Sequence, residues 1–187
     1  MSAPVRYFAD WVENPDEALL RLQADLDWER RADAPRCEYY CNDFPGPYVY
    51  GRGAGRRTYE PRSWHPAISA IRAKLEAQVG APFEVCFLNR YLNQSDHLGW
   101  HADDSPEMDD LRPIVTVSLG VEREIWFRPA LYYAPLLEHI EKLKLGHGSM
   151  CLMEPGMQDT HQHRIPKAGF TCGERISLTF RGYTVPS

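Results

Sequence analysis

The 187-residue sequence has no stretch near the roughly 18 uninterrupted apolar residues that a membrane-crossing helix needs, which argues against a bilayer-spanning role. It has no CxxC pair either. The five cysteines, Cys37, Cys41, Cys86, Cys151 and Cys172, are scattered, which argues against a zinc site. Their odd number reads as free thiols in a reducing compartment. No internal repeat, low-complexity tract or linker breaks the chain, so a single domain over 1–187 is expected. The opening MSAPVRYFADW, with its early aspartate and tryptophan, lacks the character of a secretory signal. Cytoplasmic residence, or nuclear in a eukaryote, is therefore expected, with no membrane partner and a monomeric state.

Excess positive charge is missing as well. The net charge of −5 leaves the whole molecule without a general attraction to polyanions. The distribution is uneven, however. Residues 51–74 carry Arg52, Arg56, Arg57, Arg62, Arg72 and Lys74 against Glu60 alone, a segment able to touch phosphate. Residues 101–124 carry seven acids against Arg112 and Arg123, a segment able to collect a divalent cation.

Asn14-Pro15 predicts a helix start, with Leu19, Leu22 and Leu26 on one face. Residues 34–62, rich in Pro, Gly, Tyr and Arg, read as short strands and loops. A second helix is predicted from Pro66 to Val79, its stripe made by Ile68, Ile71, Leu75 and Val79 and its end by Gly80. From residue 83 the period changes to two, with strands predicted at 84–92, 97–103, 113–120, 123–128, 136–145, 148–153, 159–165 and 174–183. The expected fold is mainly β with flanking helices: a double-stranded β-helix, or jelly roll, with two N-terminal helices against one sheet. Residues 1–82 would supply the helices and a substrate lid, and 83–187 the jelly-roll core.

The segment HLGWHADD contains the first chemical signal. Alternation along a strand puts His101 and Asp103 on one side, about 6–7 Å apart. An imidazole and a carboxylate so placed, joined by a third ligand, give the two-histidine, one-carboxylate face of non-haem iron(II) oxygenases. The segment QDTHQHRIPK offers His161 and His163, and period two places both on one face without choosing between them. The last strand, ERISLTFRGY, alternates Arg175, Ser177, Thr179 and Arg181 against Ile176, Leu178 and Phe180. A buried guanidinium needs an anion, and its planar fork suits a carboxylate. The two arginines stand about 20 Å apart along the strand, too far to clamp one small diacid between them. In FLNRYL, Asn89 and Tyr91 share a face and add an amide and a phenol.

Together these segments resemble the AlkB family of iron(II)- and 2-oxoglutarate-dependent dioxygenases. The resemblance rests on Asn89-Arg90-Tyr91, Trp100-His101-Ala102-Asp103-Asp104, Ser118-Leu119-Gly120, His163-Arg164-Ile165-Pro166 and Arg175 through Arg181. It extends back through PYVYGRG and the WHP before the second helix, covers about 19–184, and looks closest to the DNA- and RNA-repair homologues.

The resemblance implies that His101, Asp103 and His163 hold Fe(II), His163 being chosen because it precedes the basic-apolar-proline run. It implies that Arg175 pairs with the distal carboxylate of 2-oxoglutarate and that Arg181 lies near its chelating end and Asp103. Asn89, Tyr91, Ser177 and Thr179 would complete that pocket. Tyr48 and Tyr50 match the lid positions that sandwich a flipped base, and Arg52, Trp100 and Asp104 are further candidate substrate contacts. Trp100 is expected to pack beside the metal strand, and His97 to be a solvated strand-entry residue.

The implied reaction consumes 2-oxoglutarate and O2, releases succinate and carbon dioxide, and demethylates bases of the 1-methyladenine or 3-methylcytosine type in DNA or RNA. The substrate would be a single strand or a base flipped from a duplex. Two positions depart from the pattern: Ser177 stands where the family usually has Asn, and Ser105 where it commonly has an acid, leaving Asp104 to substitute. The alternative is the same chemistry on a protein, lipid or small molecule.

Overall fold

The computed structural model describes residues 2–32, 34–50, 57–130 and 140–184, and only the backbone of Tyr50. The first half runs β1 (Val5–Phe8), α1 (Pro15–Asp25), β2 (Cys37–Asn42), β3 (Tyr48–Tyr50), β4 (Arg57–Tyr59) and α2 (Pro66–Val79). The second half runs β5 (Val85–Tyr91), β6 (Leu98–His101), β7 (Ile114–Gly120), β8 (Arg123–Pro129), β9 (Glu141–Leu145), β10 (Ser149–Met153), α3 (Met157–Thr160), β11 (His161–Ile165) and β12 (Arg175–Arg181). Among the described residues no helix is long and apolar enough to cross a membrane.

Both long helices start on proline, whose missing N–H is an orphan in the first turn anyway. α2 is capped by His65, whose Nδ1 accepts the Ala67 N–H at 3.1 Å. It ends where Gly80 turns left-handed at φ 75° and donates its N–H to the Glu76 carbonyl. Ile68, Ile71 and Leu75 are its buried stripe, each worth about 1.5–3 kcal/mol when fully buried.

The strands form two main sheets. One has six strands in the order β1-β10-β7-β12-β5-β2, and the other has four in the order β6-β11-β8-β9. β3 and β4 make a separate hairpin. Parity sorts the larger sheet into two faces. Ile176, Leu178 and Phe180 join Cys86, Leu88, Val115, Val117 and Leu119 under Leu22, Ile68 and Leu75 of the helices. The opposite face meets the smaller sheet, where Val85, Phe87, Tyr91 and Cys151 pack with Ile125, Phe127, Leu145 and Ile165. Helices, large sheet and small sheet thus stack as layers of a double-stranded β-helix, with one apolar core outside the sheet pair and a second, partly polar one between them.

Three expectations change. The N-terminal part is not only helices and lid, because β1 pairs with β10 and β2 with β5 at the two edges of the large sheet. Four-residue VRYF gave little periodicity to detect, and CEYYCN is buried along most of its length rather than alternating. The predicted 136–145 strand is observed from Glu141, its first part lying outside the described residues. The predicted 159–165 strand starts at His161, because 157–160 closes one helical turn.

Gly120 ends β7 at φ +94°, beside the start of β12. A Cβ there would collide with the Glu174 carbonyl oxygen and lie 3.2 Å from Arg175 Cα. Gly120→Ala is expected to cost about 1–3 kcal/mol. The displacement falls on Arg175, so thermal melting should shift, and with it the KM for the 2-oxoglutarate that the family resemblance assigns to Arg175. A variant that melts and binds like the parent would remove the constraint.

Candidate metal and co-substrate site

β6 and β11 lie antiparallel with His101 opposite His163, and their rings stand 4.2 Å apart, centroid to centroid. Asp103 follows past the end of β6, so its place is not set by a sheet ladder. Two contacts fix it instead: its N–H donates to Gln158 Oε1 at 2.9 Å, and Arg181 Nη2 donates to its Oδ1 at 2.6 Å. The result puts His101 Nε2 3.8 Å from Asp103 Oδ1, and His163 Nε2 3.9 Å from Oδ2. Ligand atoms of the three residues all lie within 4.8 Å of one another.

The electrostatics suit a cation. Burial, aided by neighbouring His101, pushes the His163 imidazole down to about 3, so it is neutral and its lone pair is free. Burial lowers His101 too, against the opposing pull of Asp103. His101 Nδ1 lies 2.9 Å from the Gly99 carbonyl, which fixes the tautomer that leaves Nε2 as acceptor. Burial alone would raise the Asp103 carboxyl, but Arg181, His101 and His163 more than offset it and keep it ionised. Asp103 Oδ2 is buried without a hydrogen-bond partner. An orphaned carboxylate oxygen facing neutral imidazoles fits a divalent ion, which would satisfy it.

β12 supplies the floor. Arg175 is completely buried, with Nε donating to Ser118 Oγ at 2.8 Å. Its Nη1 and Nη2 have no partner, and neither does the buried Tyr91 hydroxyl, over whose ring the guanidinium sits at 5.3 Å. Burial drives this arginine down to about 10, because its surroundings solvate the cation poorly. An incoming carboxylate would receive both free nitrogens and the phenol. Ser177 and Thr179 continue the face toward Arg181, Thr179 Oγ1 lying 3.4 Å from Thr116 Oγ1.

A cavity of about 350 Å³ opens over His101 and Asp103, bounded by Tyr48, Tyr59, Phe87, Asn89, Asp104 and Arg181, with His97 and Gly99 also in its lining. Tyr48 stacks on Tyr40 and Tyr59 with centroids 5.6 and 6.0 Å apart, so it is a wall held by aromatic neighbours. Asn89 Oδ1 accepts Arg36 Nε at 2.5 Å, and Arg36 Nη2 donates to Glu38 Oε1 at 2.7 Å. Arg31 and Arg57 also approach Glu38, at 3.7 and 3.9 Å. Burial nonetheless raises the Glu38 carboxyl above its ordinary value, against those arginines. The chain Glu38–Arg36 thus holds the Asn89 carbonyl and turns its amide N–H groups to the site. Glu38→Gln is expected to raise the KM for 2-oxoglutarate about fivefold with iron affinity unchanged, since it weakens the grip on Arg36 and touches none of the three candidate metal ligands. An unaltered KM would dismiss that link.

The structure brings His101, Asp103, His163, Asn89, Tyr91, Arg175, Ser177, Thr179 and Arg181 to one inter-sheet space, with Tyr48 and Asp104 at its mouth. Trp100 is a correction. It lies between Gly99 and His101, so alternation turns it to the other side of β6, against Arg128 and Arg164 rather than the cavity. The Tyr50 side chain and Arg52 lie outside the described residues. His161 is buried, with Nδ1 2.9 Å from Thr160 Oγ1, and is not in the ligand cluster. Sequence reasoning missed Arg36, Glu38, Tyr59 and Gln158. The alternation of RTY could have suggested Tyr59, but nothing local points to Glu38, in a strand buried along most of its length, or to Gln158.

Residues 21–181 match the family model described as the 2OG-Fe(II) oxygenase superfamily. Human alpha-ketoglutarate-dependent dioxygenase alkB homolog 3 is 30% identical over 186 residues, covering 92% of this chain and 61% of that protein. Human DNA oxidative demethylase ALKBH2 is 31% identical over 178 residues, covering 91% and 64% respectively. The chain therefore spans less than two thirds of the length of these curated relatives. The solved structure of OsALKBH1 shares the fold, with a TM-score of 0.69 at 13% identity over 98% of each chain. With the histidine–aspartate–histidine cluster and the arginine floor occupying the matched span, the chain belongs to the 2OG-Fe(II) oxygenase superfamily and, within it, to the AlkB family.

Proposed function

We propose that the chain is an Fe(II)/2-oxoglutarate-dependent dioxygenase that oxidatively demethylates N-alkylated bases, of the 1-methyladenine or 3-methylcytosine type, in DNA or RNA. The observation that carries the chemistry is the pairing of two unmet needs in one buried space. Asp103 Oδ2 lacks a cation, and Arg175 lacks an anion. Iron(II) held by His101, Asp103 and His163, and 2-oxoglutarate held by Arg175 and Tyr91, would meet both. With these and O2 bound, such a centre couples oxidative decarboxylation of the co-substrate, to succinate and carbon dioxide, to hydroxylation of a substrate C–H bond.

The protein's part is placement. Arg181 neutralises and aims Asp103, Gly99 orients His101, and the large sheet closes the floor to water. An N-methyl group hydroxylated here would collapse to formaldehyde and the free base. Substrate choice is supported by the cavity: Tyr48 and Tyr59 offer aromatic faces, worth about 1–3 kcal/mol per stacked base. Asp104 puts an exposed carboxylate at the rim, where a methylated, positively charged ring would enter. The name of the ALKBH2 relative, a DNA oxidative demethylase, supports the same reading, and that of alkB homolog 3, an alpha-ketoglutarate-dependent dioxygenase, supports the chemistry. The nucleotide would arrive as a single strand or flipped from a duplex. We take the enzyme to be a monomer of a reducing compartment such as the cytoplasm, in keeping with its five free cysteines.

The test is release of formaldehyde and succinate with iron(II), 2-oxoglutarate and single-stranded oligonucleotides bearing 1-methyladenine or 3-methylcytosine. Both products, lost together in His101→Ala, are expected. Succinate without formaldehyde would redirect the search to a protein, lipid or small-molecule substrate, and neither product would sink the chemistry itself.

A further inference from the structure

The outer face of the four-stranded sheet, turned away from the metal cluster, carries an unusual row. Arg164 of β11 pairs in register with Trp126 of β8, and Trp126 with Lys142 of β9. Trp100 of β6 flanks Arg164 on the other side. The row reads Trp, Arg, Trp, Lys across the whole sheet, about 14 Å at the usual strand spacing. Arg164 Cζ lies 4.7 Å from the Trp100 ring centroid and 4.3 Å from that of Trp126. Lys142 Nζ sits 4.2 Å over Trp126, and Arg128 Cζ 4.3 Å over Trp100. Each indole is therefore held between two cations.

No carboxylate pairs with Arg128, Arg164 or Lys142 among the described residues. The chain has acids in excess, 26 against 21 bases, and Arg30, Arg36, Arg72, Arg90, Arg112 and Arg181 all have carboxylate partners. Cross-strand cations on a sheet ordinarily face acids. Here Arg128 is met by the neutral Gln162 amide at 2.6 and 3.0 Å, and Glu124 is taken up by the Trp126 N–H. Arg164 Nε is buried without a partner. Cation–π contacts of this kind give about 0.5–1 kcal/mol each at exposed sites, but they leave the edge of Arg164 and the Nη1 of Arg128 without a hydrogen bond among the described residues and do not relieve repulsion between the two arginines on one ring. Fixed donors with uncancelled charge match phosphate.

Position completes the argument. β6 is the edge strand of this sheet, with Gly99 and His101 lining the cavity on one side and Trp100 on the other. A polynucleotide with one base in the cavity need only pass that edge to reach the row. We propose that the outer face of the four-stranded sheet binds the phosphodiester backbone flanking the target nucleotide, with Arg128, Arg164 and Lys142 as phosphate donors and Trp100 and Trp126 holding them in place. This rests on the nucleic-acid reading above and extends it to a second surface.

The test compares the parent with Arg128→Gln/Arg164→Gln/Lys142→Gln, and with the exposed single variant Lys142→Glu in case the triple variant fails to fold. Substrates are a methylated trinucleotide and a methylated single strand of about 15 nucleotides, within the span such surfaces cover. The triple variant is expected to raise KM for the longer strand about tenfold and to flatten its log-affinity against log-salt slope by about 2, near 0.7 per lost phosphate contact. Lys142→Glu should raise that KM severalfold. Trinucleotide demethylation and succinate release without substrate should stay at the parent's values in both. An unchanged KM and slope for the longer strand would overturn the proposal and leave the row a structural ladder. So would equal competition by a polyglutamate peptide, which would make the face a general anion sink. Succinate release with no turnover of either oligonucleotide would instead fell the nucleic-acid reading, and this surface with it.

Discussion

Asp103→Ala is expected to abolish iron binding and turnover together, and to cost the metal-free protein about 3–5 kcal/mol, the usual penalty for breaking a buried ion pair. The two effects have separate origins. Loss of the carboxylate removes one of three ligands from a cluster whose other two are neutral imidazoles, so nothing remains to balance the ion's charge. The stability loss comes from Arg181, buried and bonded to Asp103 Oδ1 at 2.6 Å, which would keep its charge and lose its counter-ion. His163→Ala makes the contrast: it too should lose iron, but it strands no charge and should destabilise less. Iron titration and urea unfolding of the metal-free proteins measure both. Equal stability losses in the two variants would contradict the role given to the Arg181 pair.

Arg175→Met should do the opposite to stability. The metal-free, co-substrate-free protein buries a guanidinium with two unpaired nitrogens, which is costly, and a methionine of similar length removes that cost. Replacing buried ionic groups by apolar ones is often neutral or stabilising by about 1–4 kcal/mol, so the variant is expected to melt at or above the parent's temperature. Yet its KM for 2-oxoglutarate should rise at least about a hundredfold, near the 1.5–3 kcal/mol of a charged hydrogen bond made more than once. The stabilisation the parent gains from co-substrate, about 2.7 kcal/mol at a hundred times Kd, should vanish. Iron binding should persist. A variant that melts well below the parent would mean that Arg175 is satisfied by the fold alone.

Much of this was legible in the chain because parity is local. The alternation of Arg175, Ser177, Thr179 and Arg181 against Ile176, Leu178 and Phe180 needs no tertiary knowledge, and the observed strand divides along that line. The limits of α2 follow from Pro66 and Gly80 in the same way. The same rule, applied strictly, would have turned Trp100 away from the cavity, since His101 faces into it. Other parts depend on distant contacts and left no local mark. Asp103 lies beyond its strand, and what holds it, Gln158 and Arg181, is 55 and 78 residues away. Asn89 is oriented by Arg36, 53 residues earlier, in a segment whose Pro, Gly, Tyr and Arg content reads as short strands and loops without saying what they pair with. β1 was invisible because four residues at a sheet edge are too few to set a period.

The two-faced character of β12 also bears on how the protein fails. A one-residue slip of that strand would send both arginines into the oily layer under the helices and put Ile176, Leu178 and Phe180 where the co-substrate should lie. Seven paired positions with β5 and six with β7 stand against such a slip. Misassembled molecules should therefore be dead, not sluggish. In a partly refolded preparation, specific activity becomes a head count of correctly threaded chains, and its recovery should keep step with the sheet's own spectroscopic signal.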